Sequence, residues 1–241
     1  MISPSEIGSI DSSPRALDPD VERGLRWSAI RQVVTGLAST IGVLVYARFL
    51  TPDALGAASL ALLVYDGLYL LIRVPISHAV VYYQDEAEHP SAAFWLLMAF
   101  GIPAALGMML LAPYLGRFYH SQEAAALTQA IMAAYLMLSL ATVPGALLLK
   151  QMRFHLYEGF QTVYQLIVFT GWIVFSILGF GAWSLILPVL IGAVFWVGAV
   201  WLATRFRPRL QPARSAYRDI FRFARNLWGS ELLSYLMLKM D

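Results

Sequence analysis

Long apolar stretches dominate the pattern of hydrophobic and polar positions along this chain. An α-helix rises 1.5 Å per residue, so about 20 consecutive apolar residues cross the hydrocarbon core of a bilayer. Five stretches meet this length, and a sixth qualifies although Arg31 lies inside it and Arg48 lies near its end. The predicted spans cover residues 27–50, 54–72, 92–112, 124–149, 160–178 and 182–203.

Two turn signals set boundaries within this pattern. Residues 159–204 contain no charged side chain, and as one helix this run of 46 residues would be about 69 Å long, more than twice the thickness of the core. The run must therefore fold back, and the Gly-Phe-Gly sequence at 179–181 marks the turn. At 51–53, Thr-Pro-Asp supplies an N-cap, a proline at the first helical position and an acid in the first turn.

The chain divides into four predicted segments. Residues 1–22 carry prolines and acids without an apolar run, which is typical of a disordered cytoplasmic tail and unlike a secretory signal. Residues 23–204 are predicted to form a six-span transmembrane bundle. Residues 205–225 form a basic interfacial connector, and residues 226–241 form the start of a seventh transmembrane helix. The predicted fold class is therefore an all-α polytopic membrane protein.

The basic residues fall mainly on one side of the predicted bundle. If the N-terminus lies inside, the outer loops hold only Arg48 and Arg117, whereas the inner segments hold thirteen Arg or Lys residues. Cytoplasmic loops of membrane proteins keep an excess of Arg and Lys. A cytoplasmic N-terminus is therefore predicted. The thirteen inner residues are Arg15, Arg23, Arg26, Arg73, Lys150, Arg153, Arg205, Arg207, Arg209, Arg214, Arg218, Arg222 and Arg225.

The composition argues against several classes of function. Of 241 residues, 59% are hydrophobic and only 13% are charged, and the net charge of +2 gives no dense basic face for nucleic acid. The chain has no cysteine and four scattered histidines, so neither a metal site nor a cofactor is expected. No phosphate-binding glycine loop, nucleophile elbow or zinc-protease motif occurs. We expect no catalytic residues and no enzyme activity.

Three ionisable residues fall within apolar segments, where a charge is costly unless it meets a partner or a wet cavity. Arg31 lies about one turn inside the first span; it either snorkels to the headgroups or faces a cavity, where its planar fork suits a phosphate. Asp66 lies near the middle of the second span and either pairs with a cation from a neighbouring helix or takes part in ion or proton coupling. Glu231 lies in the seventh segment.

Two further basic features have both a structural and a functional interpretation. Arg73, beside Pro75, is either a topological anchor at the inner end of the second span or a ligand contact. The connector at 205–225 holds seven arginines and one aspartate. It is predicted to lie along the inner membrane surface, attracted to anionic membrane lipid. Its simpler role is to anchor the orientation and to join two helical bundles.

The order and spacing of several short segments resemble bacterial polysaccharide flippases. These are the Wzx-type members of the multidrug/oligosaccharidyl-lipid/polysaccharide exporter superfamily. The resemblance runs from about residue 24 to residue 241, and it corresponds to the N-terminal half of the family. The segments that carry it are GLRWSAIRQVVTGLASTIGVLVYARFLTPDALGAASLAL, FWLLMAFGIPAALGMMLLAPYLGRFY, PGALLLKQMRFHLYE, LGFGAWSL, RFRPRLQP and FRFARNLWGSELLSYLMLKMD.

This resemblance implies a transporter of two helical bundles facing a central cavity in the bacterial inner membrane. The implied substrate is an undecaprenyl-pyrophosphate-linked oligosaccharide, moved outward for exopolysaccharide, capsule or O-antigen synthesis. Arg31 and Arg73 are the candidate substrate-binding residues, because a pyrophosphate needs basic side chains along its path. Family members are about twice this length, so we expect a fragment or a truncated gene product that needs the missing C-terminal bundle or a second chain.

Other functions fit parts of the same pattern. A peptidoglycan-precursor flippase or a cation-coupled drug exporter would keep the fold and change the cargo. A drug exporter would favour acids in its cavity, and the mid-span Asp66 is the single candidate for that role. A membrane-embedded enzyme of glycan assembly and a half-unit that acts only through association remain as alternatives from other classes.

Overall fold

The computed structural model describes residues 19–83, 88–118 and 121–239, and these residues are helical apart from short connections. The predicted all-α fold is confirmed. The helices are α1 (Pro19–Phe49), α2 (Pro52–Leu68), α3 (Val74–Tyr82), α4 (Glu88–Phe118), α5 (Gln122–Lys150), α6 (Phe154–Ile177), α7 (Trp183–Thr204) and α8 (Arg214–Lys239), with a π-helical segment (Tyr69–Arg73) between α2 and α3.

Six helical runs of the described chain are long and apolar enough to cross a membrane, and the six predicted spans are confirmed. The main difference is in the second span. It was predicted to end at residue 72, whereas the helical run continues from Pro52 to Tyr82. The prediction stopped at the charge of Arg73, but this side chain is buried among the helices, so the run continues through it. The six runs are Gln32–Phe49, Pro52–Tyr82, Glu88–Phe118, Gln122–Lys150, Phe154–Ile177 and Trp183–Thr204.

The central helix of the bundle is α5. It packs against α2, α3, α4 and α7, and 17 of its 29 residues are buried, compared with two of the 24 residues of α6. Small side chains such as Ala134, Ala141 and Gly145 line its buried face, which lets neighbouring helices approach closely, as is usual in membrane bundles. The outer helices present most of their apolar surface to the surroundings, as expected of helices that face lipid.

The predicted turn signals are confirmed by the backbone geometry. The hydroxyl of Thr51 accepts from the N–H of Ala54 at 3.3 Å, and Pro52 follows at the first helical position. Gly179 and Gly181 have φ values of 79° and 57°. Residues with a side chain rarely adopt such values, so these two glycines allow the chain to reverse between α6 and α7.

Two predicted segment boundaries differ from the helices. The boundary between 225 and 226 falls inside α8, so the second half of the predicted connector is continuous with the predicted start of the seventh helix. The helix α1 begins at Pro19, inside the segment 1–22 predicted to be a tail. Residues 1–18 lie outside the described chain. Helical propensity does not require apolar residues, so a charged, polar segment can continue a helix in both places.

Residues 205–213 and the start of α8 cross the bundle where α3 ends and α4 begins. Glu88 of α4 accepts two hydrogen bonds at 2.7 Å, from Arg209 Nη1 and from the backbone N–H of Ala213. The hydroxyl of Tyr83 donates to the carbonyl of Asp219 at 3.2 Å. Desolvation, followed by the Asp219 carboxylate, raises the pKa of Tyr83, so the phenol remains a donor. We call this side the connector end of the bundle.

Candidate functional site

A π-helical segment interrupts the second membrane-spanning run. Pro75 cannot donate a backbone hydrogen bond, and its ring crowds the carbonyl one turn earlier, which favours a local change of helical geometry before this position. The interruption is the segment Tyr69–Arg73, in which the N–H of Val74 donates to the carbonyl of Tyr69, five residues earlier. Single π-helical turns often occur at functional sites. The last residue of this one is Arg73.

Arg73 is buried in the bundle, with 7% of its surface exposed. Its Nε donates to Thr142 Oγ1 at 2.9 Å, and its Nη1 donates to the hydroxyl of Tyr65 at 3.2 Å. The guanidinium carbon lies 5.0 Å from the centre of the Tyr69 ring and 5.9 Å from that of Tyr135. Aromatic faces attract a cation, and more strongly away from water. Hydroxyls and rings therefore hold this charge inside an apolar bundle.

No acid of the described chain neutralises Arg73. The ion pairs found there join His89 to Asp219 and Arg209 to Glu88. A buried charge without a counter-ion is costly in a membrane protein, and such residues usually face a substrate or ion pathway. Because the guanidinium has five N–H groups and only two are used by Thr142 and Tyr65, donors remain for a phosphate. The site is therefore suited to an anion.

Arg73 lines a cavity of about 200 Å³ between α3, α5, α6 and α7. The wall combines one cation, the hydroxyls of Ser77 and Thr142, and the aromatic rings of Tyr157 and Trp196. Hydroxyl groups and ring faces can bind sugars, and the guanidinium can bind a phosphate. We call this space the Arg73 cavity. In the described chain no group of three His, Asp or Glu side chains could hold a metal ion.

The other predicted site residues lie elsewhere or are not fully described. Asp66 is exposed on α2, and no described cation forms an ion pair with it. Arg31 belongs to α1, but its side chain lies outside the described residues, as does that of Glu231 in α8. Of the site residues predicted from the sequence, Arg73 therefore lines a cavity. The side chain of Arg31 lies outside the described residues, so its surroundings are not described.

The sequence interpretation missed the residues that surround Arg73. Tyr65, Tyr69 and Arg73 follow one another at four-residue spacing, which places them along one side of a helix. This spacing was a usable signal, because two aromatic residues in line with a membrane arginine indicate a cation held against rings. The partners from other helices, Thr142 and Trp196, gave no such signal, since only the packing of α5 and α7 brings them to the site.

A family model described as "Polysaccharide biosynthesis protein" matches residues 45–241. The chain is 27% identical over 218 residues to the succinoglycan biosynthesis transport protein ExoT of Rhizobium meliloti (strain 1021). This match covers 90% of the chain but 44% of that relative, so the chain spans less than half of its length. No solved structure matches significantly. With most of its length matched by the family model, the chain belongs to the polysaccharide biosynthesis protein family.

Proposed function

We propose that this chain forms the first helical bundle of a transporter that moves an undecaprenyl-pyrophosphate-linked oligosaccharide across the bacterial inner membrane. The observation that carries the proposal is the buried Arg73, which lines a cavity without an acidic partner in the described chain. Family membership and the transport role in the name of the relative support it.

In this proposal Arg73 binds the pyrophosphate. A pyrophosphate loses favourable hydration inside the membrane, and a guanidinium fork restores part of it through charge-assisted hydrogen bonds. Thr142 and Tyr65 hold the fork in place. The rings of Tyr157 and Trp196, on the cavity wall, contact the sugar next to the phosphate, while the lipid tail remains in the bilayer.

Arg31 and Asp66 have secondary roles in this proposal. Arg31 supplies a second positive charge for the pyrophosphate from α1. Asp66, exposed on α2, meets a cation of the second bundle or takes part in ion coupling. An exposed carboxylate at mid-span is expensive in lipid, so the second bundle of the proposed transporter is the natural place for its partner.

Binding to the purified chain tests the proposal. The chain is placed in lipid nanodiscs and titrated with undecaprenyl-pyrophosphate-linked oligosaccharide. We expect Arg73→Gln to weaken binding by about tenfold to a hundredfold, because a charge-assisted contact contributes about 1.5–3 kcal/mol. Arg73→Lys keeps the charge but loses the planar guanidinium fork. We expect its affinity for the ligand to lie between that of the unchanged chain and that of Arg73→Gln. The control is Arg117→Gln, at an exposed arginine in the last turn of α4. This variant should bind the ligand as tightly as the unchanged chain.

A further inference from the structure

A histidine on the wall of the Arg73 cavity has no role in the proposed function as stated above. His78 lies on α3, within the run Pro52–Tyr82, and lines the cavity together with Arg73. Its side chain is exposed, and within the described chain it makes no hydrogen bond, ion pair or ring contact. Ionisable residues of membrane-spanning runs usually face a ligand or ion pathway. The imidazole of His78 is therefore available to a ligand in this cavity.

His89, at the start of α4, shows how a structural histidine is held in this bundle. Its ring is stacked on the ring of Tyr83, with the ring centres 4.4 Å apart, and its Nε2 lies 3.8 Å from Asp219 Oδ2. These contacts join α4 to α8 and to the residue that follows α3. His78 has no contact of either kind in the described chain, so the packing of the described helices gives no reason for a histidine at this position.

Two hydroxyls of the cavity wall cannot supply the donors that a phosphate needs. Ser77 donates to the carbonyl of Val74 at 2.9 Å. Thr142 donates to the carbonyl of Leu138 at 3.2 Å and accepts from Arg73. A hydroxyl has one hydrogen, so towards a ligand these two groups act as acceptors, as the phosphate oxygens do. The N–H groups of Arg73 and His78 are better suited to bind the phosphates.

The charge of the ligand exceeds the charge of Arg73. A pyrophosphate that is esterified at both ends carries one negative charge on each phosphate, whereas Arg73 supplies one positive charge. Among the described residues of the wall, His78 is the other side chain that can become a cation. It follows Arg73 by five residues, which is about 7.5 Å along the helix. The two side chains can therefore contact neighbouring phosphates.

We propose that His78 is a second phosphate-binding residue of the Arg73 cavity and that it binds the pyrophosphate in its protonated form. This inference rests on the proposed function. A histidine changes its charge between about pH 5 and pH 8, and an anion beside it favours the protonated form. Binding of the ligand therefore takes up a proton, and the affinity rises as the pH falls.

The other ionisable groups that face this cavity keep their charge in this range. They are Tyr69 and Arg73, on the same run as His78, and Tyr157 on α6. The helices α4, α5, α7 and α8 contribute no ionisable residue to the described wall. Between about pH 6 and pH 8 an arginine stays charged and a tyrosine stays neutral. Because Arg73 repels a second cation, the protonated form of His78 is favoured mainly when the anion is bound.

The test measures affinity at two pH values, by isothermal titration of the full chain in nanodiscs at about pH 6 and about pH 8. The probe is a farnesyl-pyrophosphate-linked hexose, a soluble analogue with a short lipid. Both of its phosphates are esterified, so the probe itself keeps its charge in this range. The variants are His78→Gln, His78→Arg and Arg73→Gln. His155→Gln is the matched control, because His155 is exposed in the first turn of α6 and does not line the cavity.

We expect the unchanged chain and His155→Gln to bind the probe about tenfold more tightly at the lower pH. In His78→Gln this difference should fall below about twofold, and the affinity at the higher pH should equal that of the unchanged chain, because a histidine is neutral there. His78→Arg should bind tightly at both pH values, since its charge is permanent. Titration at neutral pH in two buffers of different ionisation enthalpy should show proton uptake by the unchanged chain and none by His78→Gln.

Two results would overturn the inference and leave the proposed function intact, provided that Arg73→Gln still weakens binding. The first is a pH dependence that is absent from the unchanged chain or retained in His78→Gln. The second is a loss of affinity in His78→Gln that is equal at both pH values and is not restored in His78→Arg, which would indicate a structural role. If Arg73→Gln binds the probe as tightly as the unchanged chain, the proposed function fails and the inference fails with it. The failures are distinguishable because Arg73 and His78 are replaced in separate variants.

Discussion

At the residue scale, the proposed function depends on how a charged side chain, Arg73, is held inside a membrane bundle. Sequence alone identified Arg73 as a candidate, because it is a basic residue beside Pro75 at the end of an apolar run. The environment of the Arg73 side chain could not be predicted from the sequence. Thr142 lies 69 residues away along the chain, and nothing in a local pattern indicates that its hydroxyl meets the guanidinium. Burial and hydrogen-bond partners are tertiary properties, so the sequence was compatible both with a topological anchor and with a ligand contact.

The contact between Thr142 and Arg73 can be tested by removing the hydroxyl. We expect Thr142→Val to lower the free energy of unfolding by about 1–3 kcal/mol, since the hydrogen bond to a charged group is lost and its donor stays buried. Thermal unfolding of the chain in detergent measures the change. Thr128→Val is the matched control, because Thr128 is also buried in α5 and its hydroxyl bonds only to the carbonyl of Ala124 in the same helix. Equal losses in both variants would contradict a specific role for Arg73.

At the element scale, the six spans were predicted from apolar length, and their existence depends on little else. Their ends were predicted less well where a polar residue is satisfied by tertiary contacts. The second span passes the buried Arg73 and ends at Tyr82. The start of α8 also depends on a tertiary contact, since the backbone N–H of Ala213 donates to Glu88, a side chain from another helix. Such a cap leaves no local signal of the kind that Thr51 provides.

Glu88 is therefore expected to hold the connector and the start of α8 against the bundle. Replacing Glu88 by Ala removes both of its hydrogen bonds at 2.7 Å, one of them to a guanidinium. We expect amide hydrogen exchange in residues 209–216 to become about tenfold faster, which corresponds to about 1.4 kcal/mol of local stability. Glu123→Ala, at an exposed acid in the first turn of α5, should leave this segment unchanged. Unaltered exchange in Glu88→Ala would mean that other contacts hold the connector.

At the scale of the whole molecule, the bundle is built around α5, and the connector end carries most of the basic residues. The positive-inside rule predicts that this end is cytoplasmic. Fold class was predictable because apolar length decides it, and the family was suggested by the order of short motifs. The cavities were not predictable, since they depend on how α3, α5, α6 and α7 pack. A sequence pattern directly specifies which helices form. It specifies the cavities between those helices much less directly.

The orientation can be measured with single cysteines, because the chain contains none. Gln122 begins α5 at the far end of the bundle, and Gln211 lies in the connector; both are exposed. We expect Gln122→Cys to react with an impermeant thiol reagent in intact cells, and Gln211→Cys to react only after lysis. The reverse pattern would place the connector outside and would contradict the predicted orientation.

The central claim is that this bundle moves a lipid-linked oligosaccharide through Arg73 as part of a two-bundle transporter. Surface polymer in a bacterial strain that lacks its own polysaccharide exporter tests this claim most directly. Because the chain spans 44% of its relative, we expect no export from the chain alone, export when a second bundle is co-expressed, and loss of that export in Arg73→Gln at normal protein levels. Export by the chain alone, or full export with Arg73→Gln, would contradict the account.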